Sequence, residues 1–390
     1  MKSLFGYGIT TKEIAKEGGW NIYDDSFKDI STDEYGNLLL PSSEFEPEKS
    51  TLEITSPGIP PNNPLILKAR NLISEFDYFY KKMPFSIWVT GTNGKTTTTQ
   101  MISYLLKNSV VGGNIGVPLA TLSKDKIWVL ETSSFQLHYT KIAKPNIFVI
   151  LPIKEDHISW HGSFENYVNA KLSPLKRMTE RDVVIMPKEF KDYETKAYKV
   201  LYENEEDLIK RFNFKNLKFK TPFLLDEVLA KTVYYVLYLK EASLECFKID
   251  EHKLEEIKDN KGRVWVDNSK ATNVDATINA LKRYKDKEIH LILGGVDKGQ
   301  NFKPLYDLLK NLNIKLYIIG EDTDLFENMA KNYKIDYNIS KTLKNAIKQI
   351  DKKHNLNSVA LLSPACASFD QFSGYKQRGD TFKKLIKDLK

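Results

Sequence analysis

The sequence predicts an α/β protein built on mostly parallel sheets, and three observations carry that reading. Short apolar runs ending in polar residues alternate with helical patterns along most of the chain. One such run, Ser86 to Thr90, leads into Gly91-Thr92-Asn93-Gly94-Lys95-Thr96 and then a helical stretch through Leu106. That order of strand, glycine turn and helix is how a phosphate-binding loop is built. At roughly 100–200 residues per domain, the 390 residues divide into two to four domains, each able to bury a core.

In order, the chain divides into regions 1–82, 83–260 and 261–390. In the first, a glycine-broken apolar segment from Ser3 to Ile9 precedes a helix from Thr11. Trp20 to Tyr23 reads as a second strand, ending at Asp24-Asp25. Prolines stiffen the loop at 56–61, and Pro64 opens a helix expected to run through Ser74. In the second region, strands are expected at Ile127 to Leu130, Asn146 to Leu151 and Arg181 to Met186. A helix from Leu224 to Tyr238 turns an apolar face to the core. The lysine-rich stretch from Lys188 to Lys220 gives no pattern. In the third region, strands are expected at Arg263 to Val266, Ile289 to Leu293, Leu316 to Ile319 and Val359 to Leu362. An amphipathic helix from Thr381 ends the chain.

Composition narrows the function. Cys246 and Cys366 are far apart and form no CxxC pair, which argues against a zinc site or disulfide framework. No stretch approaches about 18 apolar residues, so no membrane span is expected. The first ten residues do not read as a signal peptide, and a cytoplasmic monomer is expected. The net charge of +7 is scattered among acids, which argues against nucleic acid and suits anionic nucleotides.

The glycine loop carries the clearest chemistry. Its backbone N–H groups converge on phosphate oxygens, Lys95 reaches the β- and γ-phosphates, and Thr96 can ligate Mg²⁺. Val89 stands where the strict pattern has glycine, so the loop is a variant. Glu131 closes an apolar strand and reads either as a Mg²⁺ carboxylate or as a solvated or capping residue. His157, after a neighbouring strand, is either structural or a metal or substrate contact. Lys171 by position alone reads as a solvated helix lysine. Cys366 invites a nucleophile reading, but a small buried thiol fits better. Asp267 to Asn273 and Gly294 to Lys298 each place a lysine after a strand, where carboxylates or phosphates are recognised. Gly6-Tyr7-Gly8-Ile9-Thr10-Thr11 resembles a dinucleotide-type turn without its third glycine.

Taken in order, GTNGKTT at 91–97, GGNIGVP at 112–118, ETSSFQL at 131–137, EDH at 155–157, YVNAKL at 167–172, DNSKATN at 267–273, GGVDKG at 294–299 and LSPACASFDQF at 362–372 resemble the Mur ligase family. The match spans nearly the whole chain. SKATN with SPACASFDQF points to the D-glutamate-adding members. The resemblance implies a Rossmann-like N-terminal domain for a UDP-sugar, a P-loop-type central ATPase domain and an α/β C-terminal domain that closes over the site. It implies ATP-driven amide formation between UDP-N-acetylmuramoyl-L-alanine and D-glutamate through an acyl phosphate.

The resemblance also implies roles. Gly91, Thr92, Asn93, Gly94, Lys95, Thr96 and Thr97 would hold ATP, with Arg263 and Asn268. Thr96 and Glu131 would hold one Mg²⁺. His157 would hold a second, positioned by a CO₂-derived carbamate on Lys171. Lys95, His157 and Lys171 would be the catalytic set. D-glutamate would meet Thr272, Lys298, Ser368, Phe369 and Tyr375. The UDP-substrate would meet Gly8, Thr10, Asp24, Gly58, Asn114 and His157. Two other readings stay open. One is another Mur-type or folylpolyglutamate-type ligase with the same ATP chemistry. The other is a P-loop nucleotide switch, which leaves Lys171, Lys298 and the SPACASFDQF segment unexplained.

Overall fold

The structure is a computed structural model and describes residues 1–297, 299–321 and 323–389. It contains three six-stranded sheets. The first comprises β1 (Lys2–Phe5), β2 (Trp20–Tyr23), β3 (Ser31–Thr32), β4 (Leu38–Leu40), β5 (Leu52–Thr55) and β6 (Leu72–Ile73), in the order β3-β4-β2-β1-β5-β6. The second comprises β7 (Ser86–Thr90), β8 (Ser109–Gly113), β9 (Ile127–Glu131), β10 (Ile147–Ile150), β11 (Val183–Pro187) and β12 (Tyr198–Tyr202), in the order β12-β11-β10-β7-β9-β8. The third comprises β13 (Glu255–Lys258), β14 (Val264–Asp267), β15 (Glu288–Gly294), β16 (Ile314–Ile319), β17 (Asp336–Lys341) and β18 (Ser358–Leu362), in the order β13-β14-β18-β15-β16-β17. Among the strand pairings of the described residues, β3–β4 and β13–β14 are antiparallel and the rest parallel. Every residue of β7 and of β18 is buried, as expected of parallel strands covered on both faces.

The chain divides into two compact units, 1–153 with 160–219 and 223–247, and 154–159 with 220–222 and 248–390. The first two sheets share the first unit. Two buried carboxylates on the short helix Glu75–Phe79 link them. Asp77 accepts the N–H groups of Lys141, Ile142 and Ala143 at 2.7–2.8 Å. Glu75 accepts Leu119 N–H at 2.7 Å. Phe76 packs edge-on against Trp88 of β7, ring centres 4.8 Å apart.

The helix expected from Pro64 to Ser74 is broken. It runs only over Pro64–Lys68, β6 follows, and Ser74 caps a new helix. Ser74 Oγ accepts Asp77 N–H and Asp77 accepts Ser74 N–H, so a Ser-x-x-Asp box restarts the helix where one continuous helix was read. The last helix begins at Tyr375 rather than Thr381. Gly379 lies inside this helix, where a Cβ would sit 2.8 Å from Asp267 Oδ2 and on top of His252. The unpatterned stretch from Lys188 holds β12 and the helix Glu205–Phe212, capped by Asn204. Among the described residues, no helix is long and apolar enough to cross a membrane.

Candidate active site

In the second sheet, β7 lies between β10 and β9, and chain direction on the two sides diverges from it. Loops leaving such a switch point form a ligand crevice. The glycine loop leaves β7 there. Gly91, at φ +142°, cannot carry a side chain, since a Cβ would sit 2.5 Å from Leu151 Cβ. Gly94, at φ +85°, starts the helix Lys95–Leu105; a Cβ there would meet Leu151 Cδ2 at 2.6 Å and collide with Asp226. Asp226 in turn accepts Thr98 Oγ1–H at 2.7 Å, fixing the first turn of that helix. Nothing in the sequence pattern singled out Asp226, because it lies far along the chain in a helix that reads as core.

Register places Glu131, the last residue of β9, opposite Val89. Its buried carboxylate takes two donors. Thr96 Oγ1 reaches Oε2 at 2.7 Å and Asn114 Nδ2 reaches Oε1 at 2.6 Å. Asn114 N–H also bonds the Glu131 carbonyl at 2.9 Å. Gly113, at φ +82°, permits this approach, since a Cβ would strike the same carbonyl. The structure therefore joins a residue expected at ATP and one expected at the UDP-substrate through a single carboxylate.

Lys171 is not a solvated helix lysine; it is 1% exposed. Its Nζ donates to Gly91 O at 2.7 Å and lies 4.7 Å from the Tyr167 ring centre. Lys95 Nζ donates to the same carbonyl at 3.0 Å and to Thr92 O at 2.7 Å. Two amines thus converge on one loop carbonyl.

In the first sheet, β1 is the switch point, flanked by β2 and β5. Thr11 supplies what the missing third glycine would not. Its Oγ1 donates to Gly6 O at 2.7 Å and accepts Gly8 N–H at 3.1 Å, closing the turn before the helix Ile9–Ala15, which carries Thr10. Asp24 accepts Tyr7 N–H at 2.7 Å and Ser26 N–H at 2.9 Å. Burial raises its pKa, but these bonds and the Ser26 hydroxyl outweigh it and hold the carboxyl below its usual range. The loop after β5 is held by Tyr139, whose hydroxyl donates to Ile59 O at 2.6 Å, and by Trp160, whose Nε1–H reaches Gly58 O at 3.3 Å.

His157 falls in the segment 154–159 of the second unit. It has φ +55°, and its N–H bonds Asp156 Oδ1 at 2.9 Å.

The second unit gathers three motif loops at the ends of neighbouring strands β14, β18 and β15. The loop after β15 pairs with the one after β18 through reciprocal Val296–Ala367 bonds of 3.0 Å. Gly295 allows this, as a Cβ would hit Ala367 O. Arg378, 1% exposed, stitches the remainder: it donates to Ser269 Oγ at 3.0 Å, Ser269 O at 2.8 Å and Cys366 O at 3.1 Å. Burial pulls its pKa down to about 10. The sequence reading missed Arg378, which lies in a segment read as ahead of the final helix. Asn268 is held by Ser363 Oγ at 3.0 Å and accepts Leu254 N–H at 3.3 Å. Asp267 does not face the same way. It bonds His252 Nδ1 at 2.6 Å, and burial raises its pKa. Lys270 Nζ lies 5.0 Å from the Tyr375 ring centre. Ser368 is buried, Thr272 N–H bonds Lys270 O at 2.9 Å, and Phe369 is exposed. Lys298 lies outside the described residues. Cys366 is a fully buried thiol that takes part in no disulfide among the described residues.

Arg263 is not brought to this end of the sheet. It precedes the first residue of β14, whereas Asn268 follows the last. Its guanidinium is taken up by Asp259 at 2.7 Å, Asp351 at 2.5 Å and two backbone carbonyls. Burial works against this charge, but the two carboxylates outweigh it and raise the pKa. The basic residue beside the Asn268 contact is instead Lys253, next to Leu254.

Comparison with known proteins gives the family. Residues 89–271 match the Mur ligase middle domain family. A UDP-N-acetylmuramoylalanine–D-glutamate ligase of Campylobacter jejuni subsp. jejuni is 50% identical over 399 residues, covering 99% of each chain. Its Helicobacter pylori counterpart is 42% identical, covering 98% of this chain and 99% of that one. In fold, the chain is similar to a MurF ligase from Thermotoga maritima in complex with ADP, with a TM-score of 0.60, 15% identity and 98% of each chain covered. It is also similar to Escherichia coli FolC in complex with ADP, with a TM-score of 0.54, 14% identity and coverage of 74% of this chain and 88% of that one. The fold and the phosphate loop define the class, the ATP-dependent, amide-forming Mur-type ligases. Within that class, the chain belongs to the UDP-N-acetylmuramoylalanine–D-glutamate ligase family.

Proposed function

We propose that the protein joins D-glutamate to UDP-N-acetylmuramoyl-L-alanine at the expense of ATP, as a cytoplasmic monomer making peptidoglycan precursor. The observation that carries this is the carboxylate of Glu131, which holds Thr96 of the phosphate loop and Asn114 of the GGNIGVP loop at once. The site can thereby align a nucleotide phosphate with an acceptor carboxylate. We assign one domain to each sheet: a UDP-sugar domain from 1 to about 82, a central ATP domain, and a C-terminal domain from about 261. The strand Glu255–Lys258 pairs in the third sheet, which moves the start of the last domain back from 261 to 255.

A carboxylate is a poor electrophile, so the reaction first makes a leaving group. A substrate carboxylate oxygen attacks the γ-phosphorus, and ADP departs. The D-glutamate amine, having lost a proton, then attacks the acyl carbon, and the tetrahedral intermediate expels inorganic phosphate. Such a transfer is governed by alignment and charge neutralisation. Lys95 and the backbone of Gly91 to Thr97 would cradle the phosphates. Thr96 and Glu131 offer two oxygen donors 2.7 Å apart, a hard-ligand pair that suits Mg²⁺. When bound, Mg²⁺ neutralises phosphate charge; His157 and a carbamate on Lys171 are assigned to a second ion. The carbamate reading is supported by the burial of Lys171 beside Lys95: two ammonium groups sharing the Gly91 carbonyl repel each other, and the Lys95 charge would attract an anionic carbamate. Asn268 is assigned to ATP, and Arg263 is left out because its charge is already matched. Thr272, Lys298, Ser368, Phe369 and Tyr375 are assigned to D-glutamate. Gly8, Thr10, Asp24, Gly58, Asn114 and His157 are assigned to the UDP-substrate.

Hydroxylamine tests the intermediate. With ATP, Mg²⁺ and the UDP-substrate but no amino acid, a hydroxamate of the substrate is expected. Amide product formed in full, with no hydroxamate ever trapped, would remove the acyl phosphate.

A further inference from the structure

One buried carboxylate has no part in the reaction as described. Glu75 is 4% exposed and lies where three segments meet. It shares a small cavity with Thr55 and Pro57 at the end of β5, and with Gln136 and Tyr139 on the helix after β9. Its Oε1 accepts Leu119 N–H at 2.7 Å, and the Ala120 N–H also faces it. Leu119 ends the tight loop begun at Gly113, whose N–H bonds Val117 O at 2.8 Å and which carries Asn114. The backbone around Glu75 is itself pinned. Ser74 Oγ bonds Thr140 Oγ1 at 2.9 Å, and Asp77 holds three further N–H groups. Loop 113–119 is thus fastened at one end by Glu131 and at the other by Glu75.

We propose that Glu75 is a positioning residue for the UDP-substrate, holding the Leu119 end of this loop so that Asn114 stays in register with Glu131 and with the Pro57–Gly58 turn. The inference rests on the assignment of Asn114 and Gly58 to that substrate. It makes the loop's placement depend on a buried carboxyl oxygen. Burial pushes Glu75 up to about 8, against the two backbone N–H groups, which pull it down. Asp77, on the same helix, is committed to Lys141, Ile142 and Ala143. Either protonation state keeps an oxygen that accepts Leu119 N–H, so the loop is held by where the carboxyl sits and not by its charge.

The test compares wild type, Glu75→Gln and Glu75→Ala at neutral pH. It reads the KM for UDP-substrate and for ATP, and amide hydrogen exchange of residues 113–121 without substrate. Glu75→Ala should raise KM for UDP-substrate about tenfold, the worth of roughly one lost hydrogen bond. The KM for ATP should stay within about twofold. Glu75→Gln, which keeps an acceptor oxygen, should hold the wild-type KM for UDP-substrate. Exchange at 113–121 should quicken in Glu75→Ala and stay near the wild-type rate in Glu75→Gln. If Glu75→Ala leaves both KM and exchange unchanged, or if KM for ATP rises equally, the inference falls. The exchange measurement needs no substrate. If it responds while KM for UDP-substrate does not, the inference also falls, and with it the assignment of Asn114. If wild type proves inactive with the UDP-substrate, the proposed function fails by itself, and exchange alone decides whether Glu75 holds the loop.

Discussion

Lys95 and Glu131 should be the least replaceable side chains in the first unit. Removing one donor or carboxylate aimed at transferring phosphate typically costs about 10²–10³ in kcat. Glu131→Gln should fall in that range and shift the Mg²⁺ dependence to higher concentration, because it removes a charge and keeps the shape. Steady-state rates across a Mg²⁺ titration would check this; an unchanged dependence would free Glu131 from the metal. Lys171→Ala should lose most activity and recover part of it with added short carboxylates, which substitute for an anionic oxygen. Full activity without supplement would remove Lys171 from the mechanism. At this scale the sequence was informative where residues act through a local motif. Gly94, Lys95 and Thr96 lie within one turn of each other, and their roles follow from that order. Lys171 gave no such signal, because its burial against Gly91 depends on a contact 80 positions away in the chain. Arg263 stands at the start of its strand, as read, and its ATP assignment came from the resemblance alone; its guanidinium is paired with Asp259 and Asp351.

Each motif occupies its place because of the element behind it. Gly94→Ala should destabilise the first unit by about 1–3 kcal/mol, since both its φ of +85° and the crowding by Asp226 and Leu151 exclude a side chain. A denaturant midpoint at the wild-type value would contradict this. Arg378→Met should raise KM for D-glutamate, because Arg378 ties the Ser269 and Cys366 segments together; an unchanged KM would contradict this. In the third sheet, His290 and His354 are buried, and burial lowers both pKa values, His354 to about 4. An unfolded histidine titrates near 6.5, so between about pH 6.5 and 4 the unfolded chain binds more protons than the folded one. Stability present above pH 6.5 is therefore lost as the pH falls toward 4. Urea midpoints should drop over that window, and less steeply in His354→Gln; parallel slopes would refute the assignment. Strands such as Ile147–Ile150 were legible because parallel, doubly buried strands read as unbroken apolar runs. β4, β8, β13 and β17 were not read, being short, glycine-ended or polar at sheet edges. Capping made the difference at Ser74, where a single box divides what periodicity joins.

Across the whole molecule, the proposed contacts are unevenly divided: the first unit carries the phosphate loop, and the second carries the residues proposed for D-glutamate, with His157 and Asn268 besides. Variants at Lys95 should weaken ATP binding and leave D-glutamate affinity to Thr272 and Ser368; variants at those two should do the reverse. Isothermal titration of each ligand separately would show that partition, and equal losses of both ligands in either set would deny it. The class of reaction was legible because eight segments stand in family order along the chain. The parts that could not be read, such as Glu75, Asp226 and Arg378, act between segments distant in sequence and carry no motif of their own. The central claim is amide formation specific for D-glutamate. Its most direct test is phosphate release from ATP and Mg²⁺ with UDP-N-acetylmuramoyl-L-alanine, comparing D-glutamate, L-glutamate and no amino acid. Release dependent on D-glutamate, matched by an amide product of the expected mass, is the predicted result. Release that proceeds equally without any amino acid, or that follows a different one, would contradict it.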